Sequence, residues 1–291
     1  MKTLREIVKD AEDRKVAVGH FNISNIEGLW AVFNSARKLS VPVIIGVSEG
    51  ERDFIGPRQV RDLVFGIREQ YNYPIYLNAD HTYSFDRVKE VVGLGYDSVI
   101  FDGAKLSFED NLKETKKCSD FIKSYNSENG TDIMLEAEYG YIGQSSKVLD
   151  SVPDGVNLDN LTDPQKALEF VENTGIDMFA PAVGNMHGML SSGIDPSLDI
   201  ERVKNIKEKV KIPLVLHGGS GNSKDDFQKA IKAGISIVHI NTELRVAYKN
   251  GILESLRENP DEVAPYKMMK KTLVEMEKVV EEKLKTFNFI G

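Results

Sequence analysis

A single cysteine, Cys118, among 291 residues rules out an internal disulfide framework. It falls in a helical pattern with Leu112, Phe121 and Ile122 and reads as a buried packing residue. No stretch approaches the ~18 consecutive apolar residues that cross a bilayer. The charged start Met1-Lys2-Thr3-Leu4-Arg5-Glu6 has no apolar leader segment, so the expected location is the cytoplasm. No basic block is interleaved with aromatics and the formal net charge is −8, which argues against nucleic acid as a partner. No glycine- or serine-rich linker divides the chain. What is there is 41% hydrophobic. That composition leads to the expectation of one domain over 1–291, with a C-terminal helical extension at about 258–291.

Short apolar segments at 16–22, 43–48, 75–79, 98–102, 133–138, 177–183, 214–216 and 235–240 read as strands buried on both faces. Amphipathic helical patterns separate them, beginning with 3–13 and 25–39 and ending with 242–257. Alternation of this kind implies parallel βα units, and about eight of them imply a (β/α)8 TIM barrel. A doubly wound sheet is the alternative. The segment 265–286 carries an apolar stripe, including Met276, Val280 and Leu284, that needs the barrel or another subunit to cover it. Residues 139–162 form a long polar loop with Gly140, Gly143 and Gly155. It is expected to be a lid, displaced until a ligand binds.

The most informative stretch is Leu214-Val215-Leu216-His217-Gly218-Gly219-Ser220-Gly221. An apolar strand ends on a histidine, and a glycine-rich turn leads into a helix start at Ser223. Glycines allow close backbone approach to a ligand, and backbone N–H groups near a helix N-terminus suit an anion such as phosphate. In a barrel, His81, His187 and His217 all follow strands at the catalytic face. Three neutral imidazoles converging there make a divalent metal site with open positions, the usual arrangement for catalytic zinc. The plain alternative is three separate, hydrogen-bonded histidines.

Leu77-Asn78-Ala79-Asp80-His81-Thr82, Gly184-Asn185-Met186-His187-Gly188-Met189, His217-Gly218-Gly219-Ser220-Gly221 and Asn241-Thr242-Glu243-Leu244 resemble the class II, metal-dependent fructose- and tagatose-bisphosphate aldolases. The similarity covers nearly the whole chain in order. It implies Zn2+, or another divalent metal, on His81, His187 and His217, and a proton exchanged by Asp80 with the aldehyde-side oxygen. It implies a second, monovalent cation site near Asp102 and Glu138. The phosphate of a dihydroxyacetone phosphate half would lie against Gly188, Gly218, Gly219, Ser220, Asn241 and Thr242, with Asn22 and Ser48 as further polar contacts. A homo-oligomer, dimer or tetramer, is implied as well.

The chain also departs from that pattern. Ser145-Ser146 stand where the loop after strand five usually has acidic residues, so Tyr141, His239 or a bound water is left to carry the proton at the enediolate carbon. A lysine usual after the second histidine motif is missing. His239 replaces an asparagine, and the arginine typical of the C-terminal segment is not evident around Pro265-Tyr266-Lys267. The expected function is reversible cleavage of a phosphorylated ketose to dihydroxyacetone phosphate and an aldehyde. An aldolase with a different aldehyde partner, and a metal- or sugar-phosphate-binding homologue without turnover, are the competing readings.

Overall fold

Residues 1–143, 146–154, 156, 160–193 and 195–291 are described by a computed structural model. Their strands, in chain order, are β1 (Val18–Asn22), β2 (Val43–Val47), β3 (Ile75–Thr82), β4 (Ser98–Phe101), β5 (Met134–Tyr139), β6 (Val148–Leu149), β7 (Met178–Pro181), β8 (Met189–Leu190), β9 (Leu214–Leu216) and β10 (Ile235–Ile240). All except β6 and β8 close into one parallel barrel in which β10 pairs back onto β1. The architecture is therefore the (β/α)8 barrel and not the doubly wound sheet. The helices are α1 (Leu4–Arg14), α2 (Ile26–Leu39), α3 (Glu49–Ile55), α4 (Pro57–Tyr71), α5 (Phe85–Gly93), α6 (Phe108–Asn129), α7 (Pro164–Thr174), α8 (Ile200–Val210), α9 (Lys224–Ala233), α10 (Thr242–Glu258) and α11 (Pro265–Phe287). None is long and apolar enough to cross a membrane.

Local sequence explains where the helices begin. The side chains of Ser84, Ser107, Asp163, Asp199 and Ser223 each accept a backbone N–H in the first turn of their helix. Such caps contribute about 1 kcal/mol apiece. Thr3 and Glu6 form a reciprocal capping box on α1. That helix plugs the bottom of the barrel: its Leu4, Ile7, Val8 and Ala11 pack against Val18, Ile44, Tyr76, Met134, Val215 and Ile237.

Strand side chains alternate between faces. Outward residues such as Phe21, Val43, Ile45, Leu77, Val99 and Leu216 pack into the shell shared with the helices. The inward residues change character along the barrel axis. Above the apolar bottom layer come His20, Asn78, Glu136, His217 and His239, and above those Asn22, Asp80 and Glu138, all buried. Gly46 takes the β2 position opposite this polar layer, and a Cβ there would overlap His20 Cε1.

The apolar stripe of α11 is covered by the chain itself. Phe287 packs edge-on against Phe227 at 5.1 Å, its carbonyl accepts the Ala17 N–H, and Met276, Val280 and Leu284 are buried. Cys118 is buried as expected. Other expectations need correcting. β3 runs on through His81 to Thr82, β7 is shorter than 177–183, and α3 did not figure in the sequence pattern. The 139–162 loop contains β6, which pairs with β8, and its Ile142 carbonyl accepts the His187 N–H at 2.7 Å. The described part of that loop packs on the barrel through these contacts. Gly155 and Ser145 lie outside the described residues.

Gly46→Ala should be destabilising by about 1–3 kcal/mol, the usual cost of overpacking a close-packed interior. Urea unfolding checks this, and an unchanged midpoint would show that His20 is not held against Gly46.

Candidate metal centre and cleft

Three histidines meet at the upper end of the barrel. His81 lies in β3 with φ 44°, a left-handed conformation costly for a side-chain-bearing residue. His187 sits in the segment between β7 and β8, and His217 directly follows β9. Their ring centroids are 4.8 Å (His81–His187), 5.2 Å (His81–His217) and 6.0 Å (His187–His217) apart. One donor atom from each, together with one from Glu138, falls within 4.8 Å of all the others.

Neighbouring carboxylates orient two of the rings. His81 Nδ1 donates to Asp102 Oδ2 at 2.9 Å, and His217 Nε2 donates to Glu136 Oε1 at 2.6 Å. Each ring thereby keeps its other nitrogen for the shared space, as in sites where an outer carboxylate fixes a ligating imidazole. His217 Nδ1 and Glu138 Oε1 are buried, 3.0 Å apart, and neither makes an aligned hydrogen bond; Glu138 Oε1 also lies 3.5 Å from His81 Nδ1. Once the ring proton of His217 is displaced, both atoms are acceptors side by side, which suits a bound cation. Asp102 and Glu138, expected near a second cation site, both face His81 Nδ1, at 2.9 and 3.5 Å. Glu138 belongs to the histidine cluster, whereas Asp102 is engaged by His81 and by the Ala104 N–H.

The electrostatics separate the rings. Burial disfavours a charge on His81, but Asp80, Glu138 and Asp102 outweigh it and raise the ring to about 9. Burial lowers His187 to about 3, reinforced by His81 and His217, and lowers His20 to about 4. His217 is raised because Glu138 and Glu136 overcome its burial. Asp80 is buried too, yet His81 and His239 hold its carboxyl well below the ordinary range. Its Oδ2 accepts from Asn22 Nδ2 at 2.8 Å, and its unpartnered Oδ1 lies 3.6 Å from His239 Nδ1.

Two cavities open from this cluster and share Asp80, His81, Ser146, His187 and Asn241. The first, about 20 Å³, reaches toward Gly188, Gly218, Ser220 and Thr242. Gly218 has φ 59° and any side chain there would overlap the Met186 carbonyl, so glycine is required. Gly219 is the exception among the expected contacts. It does not line the cavity, and its N–H donates to the His239 carbonyl. The second cavity, about 210 Å³, reaches toward Ser48, Tyr83, Asp102 and Arg245. Asn22 borders the first cavity, with its amide donating to both Asp80 and Glu51. Of the side chains considered for the enediolate proton, His239 faces the first cavity; Tyr141 lines neither.

Sequence reasoning passed over Glu51, Arg245 and Tyr83. Glu51 was detectable: Ser48-Glu49-Gly50-Glu51 has the spacing of a capping box, and the structure forms one at the start of α3. No comparable signal links Arg245 to Glu51, which are 194 residues apart in sequence.

Residues 2–291 match the model of the family described as fructose-bisphosphate aldolase class-II. Solved structures with similar folds include the YdjI aldolase from Escherichia coli K12, at 29% identity and TM-score 0.79, with 98% of this chain and 96% of that chain covered. A Coccidioides immitis protein assigned as a fructose-1,6-bisphosphate aldolase has 28% identity and TM-score 0.82 over 99% and 96%. The fructose-bisphosphate aldolase of Campylobacter jejuni, at 23% identity and TM-score 0.78 over 98% and 94%, shares the fold.

In metal-free protein, His81 should lose its proton as pH rises through about 9, while His20 and His187 stay neutral down to about 4 and 3. The folded value of His81 lies above its ordinary 6.5, so its contribution to stability is complete below 6.5 and lost as pH rises through about 9. Ring nitrogen NMR shifts across this range test the assignment. A neutral His81 ring at pH 7 contradicts it.

Proposed function

We propose that this chain, which belongs to the class II fructose-bisphosphate aldolase family, is a metal-dependent aldolase that reversibly cleaves a phosphorylated ketose to dihydroxyacetone phosphate and an aldehyde. The observation that carries the reading is the clustered set of His81, His187, His217 and Glu138 beside Asp80, with His217 Nδ1 and Glu138 Oε1 buried and making no hydrogen bond. His81, His187 and His217 would hold the cation, and a nitrogen-rich donor set of this kind suits zinc among the divalent metals. When bound, it supplies Lewis-acid polarisation of the ketose carbonyl.

The remaining chemistry belongs to the protein. Asp80 is ionised and keeps Oδ1 toward the space above the histidines, so it can accept the proton of the hydroxyl on the aldehyde side as the C–C bond breaks. In the reverse direction it returns that proton to the new hydroxyl. Asn22 holds the other carboxylate oxygen, which leaves Oδ1 to face the substrate. Gly188, Gly218, Ser220, Asn241 and Thr242 surround the cavity that suits the phosphate, where backbone N–H groups and the N-terminus of α10 favour an anion. Ser146 borders both cavities and so stands between the phosphate end and the aldehyde end of the cleft. No carboxylate stands at the expected place in the loop, where the sequence has Ser145-Ser146, and of the side chains considered His239 is the one that lines the cavity.

Purified protein should contain about one divalent metal per chain, and His81→Ala and His217→Ala should each lose it. Elemental analysis decides this, and full retention by both variants would exclude the ligand set. Asp80→Asn should retain the metal and lose about 10²–10⁴-fold in kcat. Cleavage of ketose phosphates, followed by dihydroxyacetone phosphate release with and without a chelator, provides the assay. Cleavage by Asp80→Asn within twofold of the original rate removes Asp80 from the proton transfer.

A further inference from the structure

The wider cavity bears on which aldehyde the enzyme releases. Ser48 and Tyr83 line its outer part, and Arg245 is the one arginine or lysine among the described residues that border it. An arginine in that position ordinarily recruits an anion. Here the protein already supplies one. Arg245 Nη2 donates to Glu51 Oε1 at 2.7 Å. The other Glu51 oxygen accepts from the Ser48 N–H at 2.8 Å, from Ser48 Oγ at 2.9 Å and from Asn22 Nδ2 at 3.0 Å. The Glu51 side chain is 7% exposed. Three donors on this side, from Arg245 and Ser48, and a fourth from Asn22 on the first cavity therefore converge on one buried carboxylate. Asp80 and Asp102, bordering the same cavity, add negative charge.

We propose that Glu51 is a specificity determinant that closes this end of the cleft to anions, so that the aldehyde fragment is an uncharged hydroxyaldehyde and the ketose substrate carries a single phosphate, on the dihydroxyacetone side. The inference rests on the aldolase reading above and deepens it. A second phosphate would have to approach Glu51, Asp80 and Asp102 with the one guanidinium that borders the cavity, among the described residues, already paired, and unpaired charge is how a site rejects a competing ligand. An uncharged hydroxyl meets no such penalty. It can take one of the remaining N–H groups of Arg245, whose fork has five donors. Glu51 also belongs to the capping box of α3, so Glu51→Gln tests the charge with little change of shape and Glu51→Ala additionally releases the Ser48 donors.

The test is calorimetric binding of two reduced ketoses that cannot be cleaved, a hexitol 1-phosphate and a hexitol 1,6-bisphosphate, to metal-loaded protein. The original chain should bind the monophosphate at least as tightly as the bisphosphate. Both Glu51 variants should move the ratio of affinities toward the bisphosphate by about tenfold, equivalent to ~1.4 kcal/mol. Tenfold tighter binding of the bisphosphate by the original chain overturns the proposal and leaves the aldolase reading intact. So does a ratio that neither variant moves while thermal unfolding shows both folded. Binding of neither compound overturns the ketose phosphate reading together with this one. Preferential binding of the monophosphate, with no dihydroxyacetone phosphate released from fructose 1-phosphate, fructose 1,6-bisphosphate or their tagatose epimers, supports the selectivity and sinks the aldolase activity.

Discussion

The upper end of the barrel buries more hydrogen-bond acceptors than donors, and the rest of the structure is arranged around that imbalance. Asp80 Oδ1, Glu138 Oε1, His217 Nδ1 and His20 Nδ1 are all buried without a partner. Each such group costs about 1–3 kcal/mol, against a total stability of roughly 5–15 kcal/mol for a folded protein. The lower half of the barrel and the helical shell must carry that cost. They do so with an apolar bottom layer closed by α1, tied by Arg5 to Asp132 and Asp177 at 2.7 Å each. Arg52 plays the corresponding part near the top. Fully buried, it donates to the Val47 and Asp80 carbonyls at 2.6 and 2.9 Å and to Thr82 Oγ1 at 3.1 Å, fixing the ends of β2 and β3. A cation among the free acceptors would remove much of the remaining penalty, so metal binding and stability are coupled in this design.

Much of the fold was legible because its signals are local. Strands buried on both faces appear as short apolar runs, and several of the helices between them begin at Ser, Thr or Asp caps. Barrel closure is less local, yet eight alternating units left few alternatives. The elements that were missed are those too short for periodicity to register. α3 has seven residues, β6 and β8 two each. β6 and β8 form only because the loop after β5 comes back beside the segment after β7, a contact that neither sequence encodes by itself.

The histidines could be found from sequence because strand ends and catalytic face coincide in a parallel barrel. Which atom pairs with which could not. Period-two alternation directs Glu136 and Glu138 inward together, but only the closed barrel, with β7 between β5 and β9, gives His217 to Glu136 and leaves Glu138 in the cluster. The same limit explains Asp102 and Gly219. Both sit where a ligand contact is reasonable, and both are engaged by neighbours on other strands, Asp102 by His81 and Gly219 by the His239 carbonyl. Sequence position gave their region, and tertiary partners decided their role.

The stacked imidazoles show how a residue away from the cluster can shape it. His20 and His239 lie face to face at 3.4 Å with 5° between planes, and His239 lies 4.0 Å from His217 at 27°. Burial keeps His20 and His239 uncharged, so the stack carries no internal repulsion from that pair. His20 is anchored by donation to Asn78 Oδ1 at 3.1 Å, and Asn78 donates in turn to Ser98 Oγ at 2.7 Å. One end of this column is therefore fixed in the barrel wall, and its other end bears on the ring of His217. Glu136 fixes that ring from the edge while His239 supports its face, which leaves little freedom except the orientation that turns Nδ1 toward Glu138. The missing side chain of Gly46 is what makes room for the column. A position with no chemistry of its own thus helps determine where a ligating nitrogen points.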